Sequence, residues 1–513
     1  MNNYFRTFSI ALIALVILLK VYFLSTKGFF YFPDEYRYAA SKTVLFELLN
    51  WEINEAVKSL YSIWARPASV IWFIIPNVFQ LIGSIINNQH MYMPVNTIFL
   101  FFFNILIQVF IFYYIYNIAK LFFKNNYIAF LSIIIYQSLD ASFKYLQHAL
   151  PYDLGLLIFL KVIYGLTAMI DLKTVRKSKL FFLGFWAMLG FNTYPGFITL
   201  YLFSILIFIH LYYLKIIDFK NIYVIGFGSM ACMLIFEVVG LLYAKSYLYN
   251  LIGLSTQITQ GSFEESLIFI FKYLMEVEGF RGFILIFGGI FSVGSILYWR
   301  KIDKSKNNMF HYFILYLLGI YILYGINGYF LKNNVYYGRL IHQYIPFLSI
   351  AASAMLFQCF EKINYNKNSL KIYFLTFSIL MTFLFYFSIQ QFNKYVYPRD
   401  ILNSPQHIKT NGLIDYIHEI PIVYRVEKCR LYDDQEIDNK NKYTAVNAAY
   451  FSFDKGQIDR YNKFMNNNES VEIFNEKHII NYKGYQYEGS TIQERKTIDS
   501  LQLRLKIYLT DHF

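Results

Sequence analysis

The sequence predicts an all-α polytopic membrane protein of about eleven transmembrane helices, with amphipathic helices in an outer loop and a small α/β domain outside the membrane at the carboxyl end. Three observations carry this. Apolar residues make up 57% of the 513 residues and charged residues 15%, too little charge to coat a soluble surface. Apolar runs of about 20 residues recur, each enough to cross a hydrocarbon core of roughly 30 Å. After Gln390 the composition shifts to Asn, Lys, Asp and Tyr.

The first run, Phe8 to Leu24, follows Arg6 and has no small-residue cleavage site after it, so it reads as a retained span and not a signal peptide. Strong runs follow at 97–118, 127–139, 151–170, 180–194, 197–214, 222–244, 282–299, 310–331, 343–360 and 372–389. A further candidate, Pro67 to Ile86, decides the parity of every later loop. It begins with Arg66-Pro67 and contains Pro76, and the basic loops share a side only if it does not cross. Those loops hold Lys120 and Lys124; Lys173, Arg176, Lys177 and Lys179; Lys215 and Lys220; Arg300, Lys301, Lys304 and Lys306; and Lys362, Lys367 and Lys371. The segment is therefore read as helices at the interface, with the amino terminus inside and the carboxyl terminus outside. Residues 1–390 form the membrane domain, with an outer loop at 26–95. Residues 391–513 form the extracytoplasmic domain, with strand-like runs at Tyr443 to Phe453 and Val471 to Tyr482.

The net charge of +13 sits in short loops between spans, where topology and anionic lipid account for it, and no nucleic-acid partner is expected. Cys232, Cys359 and Cys429 imply no disulfide framework. No zinc spacing, phosphate-binding glycine loop or serine elbow occurs.

Candidate chemistry gathers at span edges on the outer face. Asp34 and Glu35, in Pro33-Asp34-Glu35-Tyr36-Arg37-Tyr38-Ala39, face different directions on any helix they start; a helix cap is the bland reading. Asp153 opens an apolar run after Pro151, with His148 just before it and Asp140 at the same boundary; a carboxylate entering the bilayer needs a partner or a wet cavity. Between two later runs lie Lys332, Arg339 and His342, of which Arg339 offers a fork for phosphate oxygens and, alone, would read as snorkelling. Arg66, Lys144 and Arg281 are further cations on this side. Glu264, Glu265, Lys272, Glu276 and Glu278 read as the solvated face of an amphipathic helix.

The layout resembles the C-type membrane glycosyltransferases of the family 39 kind, the bacterial relatives of dolichyl-phosphate-mannose protein mannosyltransferases and lipid A aminoarabinose transferases. Asp34-Glu35-Tyr36 is similar to the family's acidic pair followed by tyrosine in the first outer loop. Arg66-Pro67-Ala68 stands in the place of a His-Pro-Pro-Leu segment. Gln147 to Asp153 resembles a Ser-Arg-x-x-x-x-Asp stretch, with His148 in place of arginine, and Arg339 to Pro346 resembles Arg-Tyr-x-x-x-x-Pro. The similarity covers roughly 1–390; the tail matches no pattern.

The resemblance implies inverting transfer of a sugar from a polyprenyl-phosphate donor to a lipid, glycan or protein acceptor outside the cytoplasm, in a bacterial inner membrane. Asp34, Glu35 and Asp153 are then the catalytic acids, with Asp34 the general base. Arg339, Lys332 and Arg66 hold the donor phosphate, and Tyr38, His148 and His342 contact substrate. No cofactor is required, although a divalent cation between Asp34, Asp153 and phosphate suits hard oxygen ligands. Two rivals are a polysaccharide polymerase or ligase and a transporter or flippase; mid-span polar groups at Lys20, Lys161, Asn192 and Glu237 favour the latter, while the absence of two-half symmetry disfavours it.

Overall fold

The computed structural model describes residues 3–26, 35–62, 67–87, 94–146, 150–171, 176–243, 245–258, 265–298, 306–332, 336–363 and 367–390, and four strands beyond them. Of the candidate residues, Asp34, Arg66 and His148 lie outside the described residues.

Sixteen α-helices are described: α1 Asn3–Thr26, α2 Glu35–Leu49, α3 Ile53–Ser62, α4 Pro67–Asn87, α5 Pro94–Phe123, α6 Asn126–Gln137, α7 Tyr152–Thr167 and α8 Lys177–Thr193. They continue with α9 Ile198–Tyr213, α10 Phe219–Leu242, α11 Tyr247–Ile258, α12 Phe269–Glu276, α13 Phe280–Tyr298, α14 Lys306–Phe330, α15 Ile345–Ile363 and α16 Lys367–Gln390. Every apolar run of the sequence coincides with one of them. Eight (α1, α5, α7, α9, α10, α13, α14 and α16) carry a stretch long and apolar enough to cross a membrane; α6, α8 and α15 fall short in length or hydropathy. Four strands, β1 Leu413–Asp415, β2 Lys442–Asn447, β3 Val471–His478 and β4 Leu503–Thr510, form one sheet in the order β1-β2-β4-β3, parallel at its first pair and antiparallel at the others.

Aromatic and hydrogen-bond contacts set the helix directions. Phe5 near the start of α1, Tyr127 near the start of α6 and Phe374 near the start of α16 stack together at one end of the bundle. At the other end Lys20, late in α1, bonds Gln108 of α5 at 3.0 Å and the Ser142 hydroxyl, after α6, at 2.9 Å. The chain therefore leaves α1 and enters α5 at the same end, so α2 to α4 start and finish there. These helices and α11 share a small core of their own, with Tyr61 of α3 donating to the Phe236 carbonyl of α10 at 2.6 Å. The large core fills the bundle.

Helices α8 and α10 cross with their backbones nearly touching. A Cβ on Gly184 would lie 2.0 Å from the Ile225 carbonyl oxygen, and one on Gly228 1.9 Å from that of Phe181; a Cβ on Gly226, two residues away, would meet nothing within 4 Å. We expect Gly228→Val to lower the thermal midpoint of the detergent-solubilised protein, at a cost of about 1–3 kcal/mol or more. Gly226→Ala should leave the midpoint unchanged or raise it, because alanine is the better helix former; equal loss in both variants would refute the close crossing.

Candidate functional site

The segment joining α6 to α7 is irregular, and residues 138–146 are all buried. Backbone polar groups in such a place need partners, because no water competes for them. Five side chains, from α1, α5, the α12–α13 turn and α13, supply partners to the segment. Glu278, between α12 and α13, accepts the N–H of Asp140 and of Ala141, each at 2.9 Å. Arg281 of α13 donates to the Ser138 carbonyl. Gln108 donates to the Ser142 carbonyl, Asn104 to that of Leu146 at 2.8 Å, and Lys20 to the Ser142 hydroxyl.

A charged knot lies within this frame. Arg281 sits 3.2 Å from Asp140 and 3.6 Å from Glu278, all three almost wholly buried, and Ser388 of α16 donates to Asp140. Gly279 allows it: its φ of +57° turns the chain sharply between α12 and α13, bringing Glu278 and Arg281 to one spot. This corrects the sequence reading of Glu278 as part of a solvated face. Glu265 pairs with Lys272 at 2.6 Å and Glu276 is exposed, but Glu278 is buried because two backbone donors and Arg281 compensate its desolvation. Two carboxylates share one guanidinium here. Burial, and then the Asp140 charge, push Glu278 up to about 7, against Arg281 and the two backbone N–H groups.

The loop ends at Pro151, where α7 begins. Proline occupies the N-cap, where its missing N–H costs nothing, and Asp153 falls in the first turn. The Asp153 carboxylate does not cap the helix. It turns instead to His342, whose Nε2 lies 2.6 Å from Oδ1, with both side chains buried. His342 and Arg339 stand on a short 3₁₀ segment, Gly338–Gln343, which leads into α15. Arg339 donates to the Tyr152 hydroxyl at 3.3 Å, and its guanidinium lies 4.2 Å from the Tyr337 ring centre. Two successive residues of α7 thus meet two residues of a segment nearly 190 positions later. Aromatic rings wall the meeting point: Tyr145 packs edge-on against Tyr152 at 4.9 Å and His342 at 6.0 Å, and Tyr194 against Tyr152 at 4.7 Å. A carboxylate braced by histidine beside a half-buried guanidinium can hold a hydroxyl-bearing ligand and an anion at adjacent positions.

Glu35 is the first residue of α2, directly after Asp34. Tyr38 is buried against Phe73 of α4, ring centres 5.7 Å apart. Lys332 is exposed just past α14 with a left-handed φ of 53°. Among the described residues no group of three or more His, Cys, Asp or Glu side chains could hold a metal ion. Sequence reasoning missed the Arg281, Glu278 and Asp140 knot; its one signal was three ionisable residues at span edges, where unpaired charge is costly.

We expect Arg281→Ala to destabilise the protein by about 3–5 kcal/mol, since it leaves buried carboxylates uncompensated; thermal unfolding in detergent measures it. Folded Glu278 holds its proton to about pH 7, against 4.5 for its ordinary value. Its contribution to stability is therefore complete below 4.5 and lost as pH rises through 7. The melting midpoint should fall across that window, and the fall should flatten in Glu278→Gln.

No protein-family model matches the chain, and no curated protein matches its sequence. Among solved structures it is similar to ArnT from Cupriavidus metallidurans, in the crystal structure bound to undecaprenyl phosphate. The TM-score is 0.53 at 9% identity, covering 99% of this chain and 98% of that one.

Proposed function

We propose that this chain, which has the C-type membrane glycosyltransferase fold of that neighbour, transfers a sugar from a polyprenyl-phosphate donor to an acceptor hydroxyl outside the cytoplasm. One observation carries the reading: Asp153–His342 and Arg339–Tyr152 meet at one end of the bundle, a carboxylate beside a guanidinium. A polyprenyl chain is confined to the bilayer, so its phosphate reaches protein groups only at a helix-end boundary of this kind.

In the reaction the bond from the anomeric carbon to the phosphate oxygen breaks as a bond to the acceptor oxygen forms on the opposite face, which inverts the centre. The acceptor proton passes to a carboxylate, for which Asp34 is our assignment, with Glu35 in support. The departing polyprenyl phosphate gains a negative charge. Arg339 stabilises that charge, with Lys332 and Arg66 as further cations, and Tyr152 holds the guanidinium in place beforehand. Asp153, braced by His342, orients a sugar or acceptor hydroxyl. The basic loops assign this end to the outer face, and residues 391–513 to a domain on the same side.

The polar groups that favoured transport are occupied in holding neighbours, which supports an enzyme over a transporter. Lys161 lies over the Trp186 ring, Asn192 accepts from the Tyr247 hydroxyl at 2.7 Å, and Glu237 accepts the Leu248 N–H at 2.7 Å at the start of α11.

In proteoliposomes loaded with polyprenyl-phosphate sugars, Asp153→Asn and Arg339→Lys should each lower transfer about 10²–10³-fold, with melting midpoints close to the parent's. Asp34→Asn should abolish transfer, and full turnover in all three variants would overturn the proposal.

A further inference from the structure

A cavity lies toward the bundle end opposite Asp153. It holds about 370 Å³, within the range of small-ligand pockets, between α7, α8, α9 and α10. Val162 and Leu166 of α7 line it, placing it about 14–20 Å along that helix from Asp153. It opens beside the close crossing of α8 and α10, where Gly226 leaves space. Its inner wall is buried, while Ile205 at the mouth is 40% exposed.

The wall chemistry restricts the occupant. Nearly all of the lining is apolar, and its two serines are already bonded: Ser204 donates to the Leu200 carbonyl and Ser229 to that of Gly184, both at 2.9 Å. Apart from the hydroxyl of Tyr201, a ligand there finds hydrocarbon. The rim differs. Arg176 is the N-cap residue of α8, with Lys177 and Lys179 in its first turn, and Lys215 lies between α9 and α10; Lys220, in the first turn of α10, is on the face of that helix away from the cavity-lining Ile222, Ile225 and Ser229. Neither helix has an acid in its first turn, and Asp218 at the N-cap of α10 is the one carboxylate among these rim residues. Helix N-termini already carry positive partial charge, so lysines placed there add repulsion that an anion relieves. Lys179 stands one turn from Leu183 in the cavity wall, so rim and cavity form one continuous surface.

We propose that this is a binding site for one anionic phospholipid of the leaflet at that end, its phosphate at Lys179 on the rim and one acyl chain in the cavity. The site is separate from the Asp153 centre and does not depend on the sugar-transfer reading.

The test uses the full chain in nanodiscs of equal phosphatidylglycerol and phosphatidylcholine with distinguishable chains, followed by native mass spectrometry of retained lipid. One phospholipid should remain bound, with phosphatidylglycerol preferred about tenfold. Gly226→Phe and Ile205→Trp fill the cavity from opposite walls, and either should abolish retention; if one fails to fold, judged by thermal unfolding, the other decides. Lys179→Glu should remove the preference while leaving a lipid bound. Retention unchanged in the filled variants, equal retention of the two lipids by the parent, or displacement of the bound lipid by undecaprenyl phosphate would each overturn the proposal. Asp153→Asn should retain the lipid normally, which separates this result from failure of the transferase reading.

Discussion

An irregular backbone segment enclosed among apolar helices must find all its hydrogen bonds inside the protein. Residues 138–146 meet that constraint with borrowed side chains from α1, α5, the α12–α13 turn and α13, while Asp140 within the segment is tied to α16. Each donor sits where its own helix offers it little else: Lys20, Gln108 and Asn104 are isolated polar positions in apolar runs. Without them, this path from α6 to α7 would leave several backbone groups buried and unpaired, at a cost of about 1–3 kcal/mol each.

The candidate site inherits its geometry from this arrangement. Asp153 stands where the braced segment delivers the chain into α7, and His342 and Arg339 stand where another short segment delivers it into α15. Neither acid nor cation lies mid-helix, where a side chain points wherever packing demands. Both occupy helix entrances, whose positions follow from how the preceding chain is tied. The Asp153–His342 contact and the tyrosine wall then limit the rotamers available, leaving less reorganisation for binding.

Helix positions were legible from composition alone: every apolar run corresponds to a helix, because a run of about 20 apolar residues has few other stable outcomes in lipid. The segments 145–153 and 332–346 could also be singled out, since each carries an ionisable residue at a run's edge. Their pairing was not legible in physical terms. His342 and Asp153 lie 189 positions apart, and no local pattern encodes which distant acid a histidine meets. Glu278 shows the limit more sharply. Its neighbours Glu265, Lys272 and Glu276 behave as a solvated face, and only the turn at Gly279 sends Glu278 inward. Tyr38, which the resemblance makes a substrate contact, has its ring against Phe73, a neighbour no local pattern encodes. Asp34, Arg66 and His148 lie outside the described residues.

Lys20 also bears on how the protein is made. It belongs to α1, but its partners Gln108 and Ser142 lie 88 and 122 residues later in the chain. Without them a lone ammonium rides in an otherwise apolar helix, tolerable only near an aqueous surface or a protein wall. The cost of that charge is met only when the chain through α6 is in place and the 138–146 segment packs against α1.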